Sequence, residues 1–291
     1  MTHLVCLGLG FTARPFAERL AKQGWRITGT CRSAAASLPL PGGAAIVEFD
    51  GDGASPALAA ALAEATHVLV SIPPDETGED PVLRALHACL AAAPKLVWIG
   101  YLSTVGIYGD RRGAWVSETD APQPRPGRSQ RRAMAEEAWL DAYWQWRLPV
   151  HTFRLAGIYG PGRSAFDALK AGTARRIVKI GQVFNRIHVD DIGGVLLASM
   201  QRPRPGAIYN VADDEPAPPQ DVIAYAAGLI GAEPPPLIPF EAAQLSPMAR
   251  SFYLENKRID NTRIKSELGV QLAYPSYREG LAAVLNAGHR A

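Results

Sequence analysis

Gly8-Leu9-Gly10-Phe11-Thr12-Ala13 follows the apolar run HLVCL and opens an amphipathic stretch, FTARPFAERLAKQ. In that strand–turn–helix setting each small residue has a use: Gly8 makes the tight turn, Gly10 lets a pyrophosphate approach the backbone, and Ala13 lets the helix pack closely on the strand. The helix N-terminus, with Phe11 and Thr12 completing the loop, offers N–H groups and positive partial charge to phosphates. A chain built for NAD usually places Asp or Glu roughly 20 residues further on, at the end of the second strand, to hold the ribose. Here that segment reads Thr30-Cys31-Arg32-Ser33. Arg32 is expected to face a 2′-phosphate, with Thr30 and Ser33 adding hydroxyls, so NADP(H) is the expected cofactor and NAD(H) the alternative. Asp50, in DGDG, either hydrogen-bonds adenine or starts a turn.

The elements that must position this loop are legible as alternation. Strands are predicted in HLVCLG, WRITGT, AAIVEF, HVLVSI, KLVWIG and PVHTFRL, and helices in SPALAAALAEA, DPVLRALHACLAAA and RRAMAEEAWLDAYWQW. Such alternation predicts an α/β fold with a doubly wound parallel sheet, a Rossmann domain over residues 1–155. Beyond residue 155 the pattern is less regular and richer in Pro and Gly. Residues 156–291 are expected to form mainly a smaller, interleaved substrate lobe, with a segment near 186–212, including AIYNV, returning to the main sheet.

In order and spacing, LGLGFTA, Asp50, SIPP, STVGIYG, FRLAGIYGPGR, RIHVDDIG and YNVADDEP make the chain resemble the extended short-chain dehydrogenase/reductase family of the NAD-dependent epimerase/dehydratase type. The resemblance covers most of the length. It implies that Ser71, Ile72 and Pro73 border the cofactor and that Thr104 orients a reacting substrate oxygen, with Ser103 beside it. A strand-end backbone contact is the other use of the Thr104 hydroxyl. The family's Tyr-x-x-x-Lys pair is missing: Arg128 and Arg132 stand at those positions, as in an atypical subgroup. Arginine stays charged and cannot exchange protons as tyrosine does. Arg132 can still hold the nicotinamide ribose, with Glu136 as its expected ion-pair partner, and Arg128 can stabilise negative charge. Tyr101, Tyr108 and His188 are the remaining proton-donor candidates, and His188 could instead make a structural bond near Asp190 or Asp191. Arg154, Arg163, Arg186 and His188 are expected to face substrate. Further basic residues, Arg175, Arg176, Lys179, Arg250, Lys257 and Arg258, would suit an anionic, nucleotide-linked or other, small molecule.

At 291 residues, 47% hydrophobic and 20% charged, the composition is that of a soluble globular protein. A net charge of +2 argues against nucleic acid as a partner. Cys6, Cys31 and Cys89 form no CxxC or Cys/His spacing, so reduced thiols and no metal are expected. The absence of a leader pattern or long apolar run suggests a cytoplasmic protein with no membrane partner, and a homodimer is compatible with everything above. Two function classes follow: an NADP(H)-binding oxidoreductase or epimerase-like enzyme, or a catalytically silent dinucleotide-binding sensor.

Overall fold

The computed structural model describes residues 1–33, 40 and 43–288. In chain order its strands and α-helices are β1 (His3–Leu7), α1 (Ala13–Lys22), β2 (Arg26–Cys31), β3 (Ala45–Glu48), α2 (Pro56–Ala63), β4 (His67–Val70), α3 (Pro81–Ala91), β5 (Trp98–Thr104), β6 (Trp115–Val116), α4 (Arg128–Trp146), β7 (Val150–Leu155), β8 (Gly157–Tyr159), α5 (Ala165–Lys170), β9 (Arg176–Val178), β10 (Arg186–His188), α6 (Val189–Gln201), β11 (Ile208–Val211), α7 (Pro219–Leu229), β12 (Leu237–Pro239), α8 (Pro247–Phe252), β13 (Arg258–Ile259), α9 (Thr262–Ser266) and α10 (Tyr277–Gly288).

Seven strands form one parallel sheet in the order β11-β7-β5-β4-β1-β2-β3. Every residue of β1, β4 and β7 is buried, as strands covered on both faces require. Helix α1 buries Ala13, Phe16, Ala17 and Leu20, the i, i+3, i+4, i+7 stripe of an amphipathic helix. Helices α2 and α3 start on side-chain caps followed by proline: Ser55 accepts from the Leu58 N–H, and Asp80 from those of Val82 and Leu83. The chain leaves β1 toward β2 on one side and returns at β4 on the other. That reversal makes the carboxyl ends of β1 and β4 the switch point of the sheet, where open α/β sheets bind their ligands.

Two compact units partition the chain. The first comprises Met1–Ile107, Arg125–Arg154 and Val195–Tyr209; the second comprises Tyr108–Pro124, Leu155–Gly194 and Asn210–Ala291. Tyr108–Pro124, which lies before residue 155, belongs to the second unit because β6 pairs with β13, Trp115 opposite Arg258. The second unit also contains the parallel pairs β8/β10 and β9/β12 and a small core in which Ala217, Val222, Ala226, Tyr277 and Leu281 pack together. No helix among the described residues is long and apolar enough to cross a membrane.

In the first unit the Trp98 ring lies 5.7 Å from that of His151 and 6.2 Å from that of His67. His151 Nε2 accepts from the Arg204 N–H at 2.8 Å, which commits the ring to a neutral tautomer. Burial pushes His67 and His151 down to about 4. The unfolded chain takes up these protons near pH 6.5 and the folded one only near pH 4, so stability falls as pH drops through that window, by about 3 kcal/mol for each ring. Denaturant midpoints at pH 7 and pH 4.5 should show a large acid destabilisation that His151→Gln reduces.

Candidate functional site

The glycine loop is bolted to the strands beneath it. Gly8 has φ +93°; its N–H donates to Thr30 Oγ1 at 2.9 Å, and its carbonyl accepts from Ser71 Oγ at 2.6 Å. The Leu9 N–H donates to the Thr30 carbonyl at 2.8 Å. A Cβ on Gly8 would stand 2.8 Å from Ser71 Oγ and 2.9 Å from Ile72 Cγ1. Thr30, 1% exposed, therefore supports the loop from below, and its hydroxyl is already engaged. Gly10 is the opposite case. It is exposed, and a Cβ there would meet no atom within 4 Å.

Helix α1 begins beside this opening with no side-chain cap from Thr12 and no acidic residue in its first turn, which leaves its leading N–H groups to an anion. Ala13 is buried, Phe11 and Ile72 are half-buried, and Pro73 is exposed next to them. Arg32 and Ser33 are exposed at the end of β2, where a phosphate can reach both. Asp50 is exposed and accepts from the Asp52 N–H at 3.1 Å, so it starts the turn and keeps one carboxylate oxygen available. Cys6 is buried in β1, its thiol pushed up to about 12, and is inert.

A second group of residues gathers where β5 meets α4. Glu136 of α4 is buried and accepts from Ser103 Oγ and from Arg154, through Nε at 3.0 Å and one terminal nitrogen at 2.7 Å. The structure corrects two expectations here. Arg154, 2% exposed, is part of this sealed network rather than a surface cation awaiting substrate, and Glu136 belongs to Arg154 rather than to Arg132. Arg132 instead donates to the Leu102 carbonyl, lies 5.6 Å from the Tyr101 ring and feels the charge of Asp80. Helical spacing put Glu136 within reach, but the buried arginine offered a bidentate partner in a drier place.

Thr104 ends β5 half-buried, and its Oγ1 accepts from the Gly106 N–H at 3.1 Å, leaving its own proton to give. The point where a Gly106 Cβ would sit is 3.3 Å from Thr104 Oγ1 and 3.2 Å from Ser129 Oγ. Two hydroxyls thus converge over Gly106, and Ser129, one of them, carries no motif or spacing in the sequence that marks it out beside Arg128. Arg128 is exposed at the first position of α4, whose N-cap is Gly127 with no side-chain bond. A cation is disfavoured at a helix N-terminus unless an anion joins it.

Neither nearby tyrosine serves as a donor from where it stands. Tyr101 is fully buried, stacked on Trp139 with ring centres 5.6 Å apart, and its hydroxyl has no partner; burial raises its pKa. Tyr108 is buried in the second unit and donates to Asn210 Oδ1 at 2.8 Å.

Arg163, Arg186 and His188 lie in the second unit. Arg163 is exposed in the turn after β8. His188 is buried between Tyr159 and Tyr274, with ring centres 5.2 and 4.2 Å away, and its Nδ1 accepts from the Asp190 N–H at 3.2 Å. Its place is structural, at the start of α6, and burial lowers its pKa. The expected basic cluster is also put to structural use. Arg175 donates to the Gln244 carbonyl, Arg176 to those of Gln220 and Pro235, Lys179 to Tyr253, Lys257 to Gly109, Arg258 to Gly113 and Arg250 to Ala243. These cations tie loops together within the second unit instead of converging on one anion.

No family model matches the chain. Protein YeeZ of Escherichia coli is 30% identical over 94% of this chain and 97% of that protein, and a 3-diazoavenalumate denitrifying reductase of Streptomyces is 27% identical over 97% and 99%. Among solved structures, a conserved protein of unknown function from Silicibacter pomeroyi is 51% identical, with TM-score 0.89 and 99% of both chains covered. A dTDP-glucose 4,6-dehydratase from Bacillus anthracis, in complex with NAD, is 16% identical with TM-score 0.79, covering 100% of this chain and 97% of that one.

The two glycines give opposite expectations. Gly8→Ala meets Ser71 and Ile72 in a strained backbone conformation and should lower the thermal midpoint, costing at least about 1–2 kcal/mol. Gly10→Val should leave the midpoint within about 0.5 kcal/mol of wild type while abolishing dinucleotide binding in a calorimetric titration. Retained binding in Gly10→Val would move the cofactor elsewhere.

Proposed function

Because the chain belongs to the family of Escherichia coli Protein YeeZ and carries the fold of NAD-dependent epimerases and dehydratases, we propose that it is an NADP(H)-dependent oxidoreductase of epimerase-like type acting on an anionic small molecule. The observation that carries this reading is the open space over Gly10, beside an uncapped helix N-terminus at the β1/β4 switch point. A relative named as a reductase and a neighbour crystallised with NAD support it. The residues fit the cofactor: Gly10 and the first N–H groups of α1 would take the pyrophosphate, Arg32 and Ser33 the 2′-phosphate, Asp50 the adenine, and Ile72 and Pro73 the face of the crevice.

The cofactor, when bound, supplies the hydride chemistry. The chain's own contribution lies around Gly106, where Thr104 and Ser129 can donate two hydrogen bonds to one substrate oxygen. Such donors, fixed before the reaction, stabilise charge that develops on that oxygen. Arg132, held by the Leu102 carbonyl, would orient the nicotinamide ribose. Arg128 would add a permanent positive charge at the mouth of the site.

The second reading, a dinucleotide sensor, draws on one observation: Tyr101 is sealed in the core and Tyr108 is committed to Asn210, so neither replaces the missing tyrosine.

Two measurements test the proposal. Arg32→Ala should weaken NADPH binding by about tenfold or more, equivalent to 1.5–3 kcal/mol, and leave NADH binding unchanged; equal losses for both, or a wild-type preference for NADH, would overturn the 2′-phosphate assignment. Thr104→Val and Ser129→Ala should each lower turnover on a panel of carbonyl compounds, about 10²-fold for Thr104→Val, with little change in NADPH affinity. A wild-type protein that binds NADPH and reduces nothing across the panel would favour the sensor.

A further inference from the structure

We propose that a cavity in the second unit, framed by Tyr159, Arg186, Val222 and Tyr277, is a binding site for a small organic carboxylate whose charged end is gripped by Arg186. The cavity has a volume of about 210 Å³, enough for a compact acid of the size of benzoate and too small for a nucleotide. Its lining combines apolar side chains, Ala165, Val222 and Leu281, with the charged Arg186 and Arg163 and the hydroxyl of Ser164. A ligand with an apolar body and one charged end matches that combination.

Arg186 is set up for this. One terminal nitrogen donates to the Phe184 carbonyl at 2.9 Å and to the Ala217 carbonyl at 3.2 Å, which fixes the plane of the group. Among the described residues it makes no ion pair, and its other nitrogens have no partner. The residue is half-buried and lines the cavity, and the unused edge of its guanidinium offers the parallel pair of donors that a carboxylate accepts. Arg163 and Ser164 also line the cavity, but its apolar lining from Ala165, Val222 and Leu281 suits a ligand with an apolar body better than inorganic phosphate, which presents oxygens on every side.

The nearest potential counter-charge supports the same conclusion. The Asp213 N–H donates to the Arg186 carbonyl at 2.7 Å, placing the two residues on paired backbone. The Asp213 side chain is 2% exposed, with Oδ1 accepting from the Glu215 N–H and Oδ2 unpartnered. Burial, opposed by Arg186, pushes its carboxyl up to about 8. The other groups facing it are Tyr159 of β8 and its neighbours Asp214 and Glu215, which are held by Lys265 and Arg278. At neutral pH Asp213 is protonated, and Arg186 keeps a positive charge that the ligand neutralises. Above pH 8 Asp213 ionises, supplies that charge itself and competes with the ligand.

This deepens the substrate reading above and rests on it only for the step of calling the ligand a substrate; binding is measured on the full chain with no dinucleotide present. Calorimetric titration with sodium benzoate at pH 7 should show binding, and inorganic phosphate at equal concentration should not displace it. Ala165→Phe places a large side chain in the cavity lining and should abolish binding with an unchanged circular dichroism spectrum; Arg186→Met should abolish it as well. Wild-type affinity should fall about tenfold from pH 7 to pH 9, as expected for a site that needs a group of pKa near 8 protonated, and Asp213→Asn should remove that fall. No benzoate binding, binding that survives Ala165→Phe, or displacement by phosphate would each overturn the proposal. A protein that binds NADPH but not benzoate would overturn this inference alone, and one that binds benzoate but not NADPH would overturn the dinucleotide reading alone.

Discussion

The carboxylate of Glu136 is the constraint on which the first unit's chemistry depends. It sits in the interior, accepting from Ser103 on β5 and from Arg154 on β7, so one charge fixes helix α4 against two strands. A buried ion pair of this kind adds little net stability compared with an apolar replacement, yet leaving one member uncompensated costs about 3–5 kcal/mol. Its value is positional. The residue after Ser103 is Thr104, and one turn before Glu136 on the same helix is Arg132. Both groups that would address a cofactor and its substrate are placed by their neighbours' attachment to a single buried anion.

With that anchor in place, two arginines where the short-chain dehydrogenase resemblance implies a tyrosine–lysine pair would change what the proposed site can do without dismantling it. Arg132 keeps a defined position through the Leu102 carbonyl and the Tyr101 ring. Arg128 remains in solvent at a helix N-terminus, where the macrodipole and the side chain have the same sign. The result is an electropositive rim beside two hydroxyls, suited to holding and polarising an anionic oxygen. In the proposed enzyme, proton supply would fall to the substrate, to water or to a hydroxyl, and charge stabilisation rather than acid catalysis would be the chain's contribution.

Much of this was legible in the chain. The glycine loop, the alternation of elements and the parallel, doubly wound sheet follow from local pattern: small residues at Gly8, Gly10 and Ala13, and runs such as HVLV buried on both faces. What local pattern cannot supply is which partner wins when several are within reach. Spacing along α4 put Glu136 beside Arg132, but the fold brought a fully buried arginine from β7 to the same carboxylate. Thr30 was legible as a hydroxyl near the cofactor and not as the support beneath Gly8, since that contact depends on how β1 and β2 align. Tyr108–Pro124 joins the second unit through a two-residue strand too short to carry a periodic signal. Arg175, Arg176, Lys179, Arg250, Lys257 and Arg258 looked like an anion site because charge is visible in sequence, while the main-chain carbonyls that accept their hydrogen bonds are not.

The central claim is that the crevice over Gly10 holds a nicotinamide dinucleotide carrying a 2′-phosphate. Calorimetric titration of the wild-type protein with NADPH and, separately, with NADH tests it most directly. One NADPH should bind per chain, more tightly than NADH. Tighter binding of NADH, or no binding of either dinucleotide to a folded protein, would contradict it.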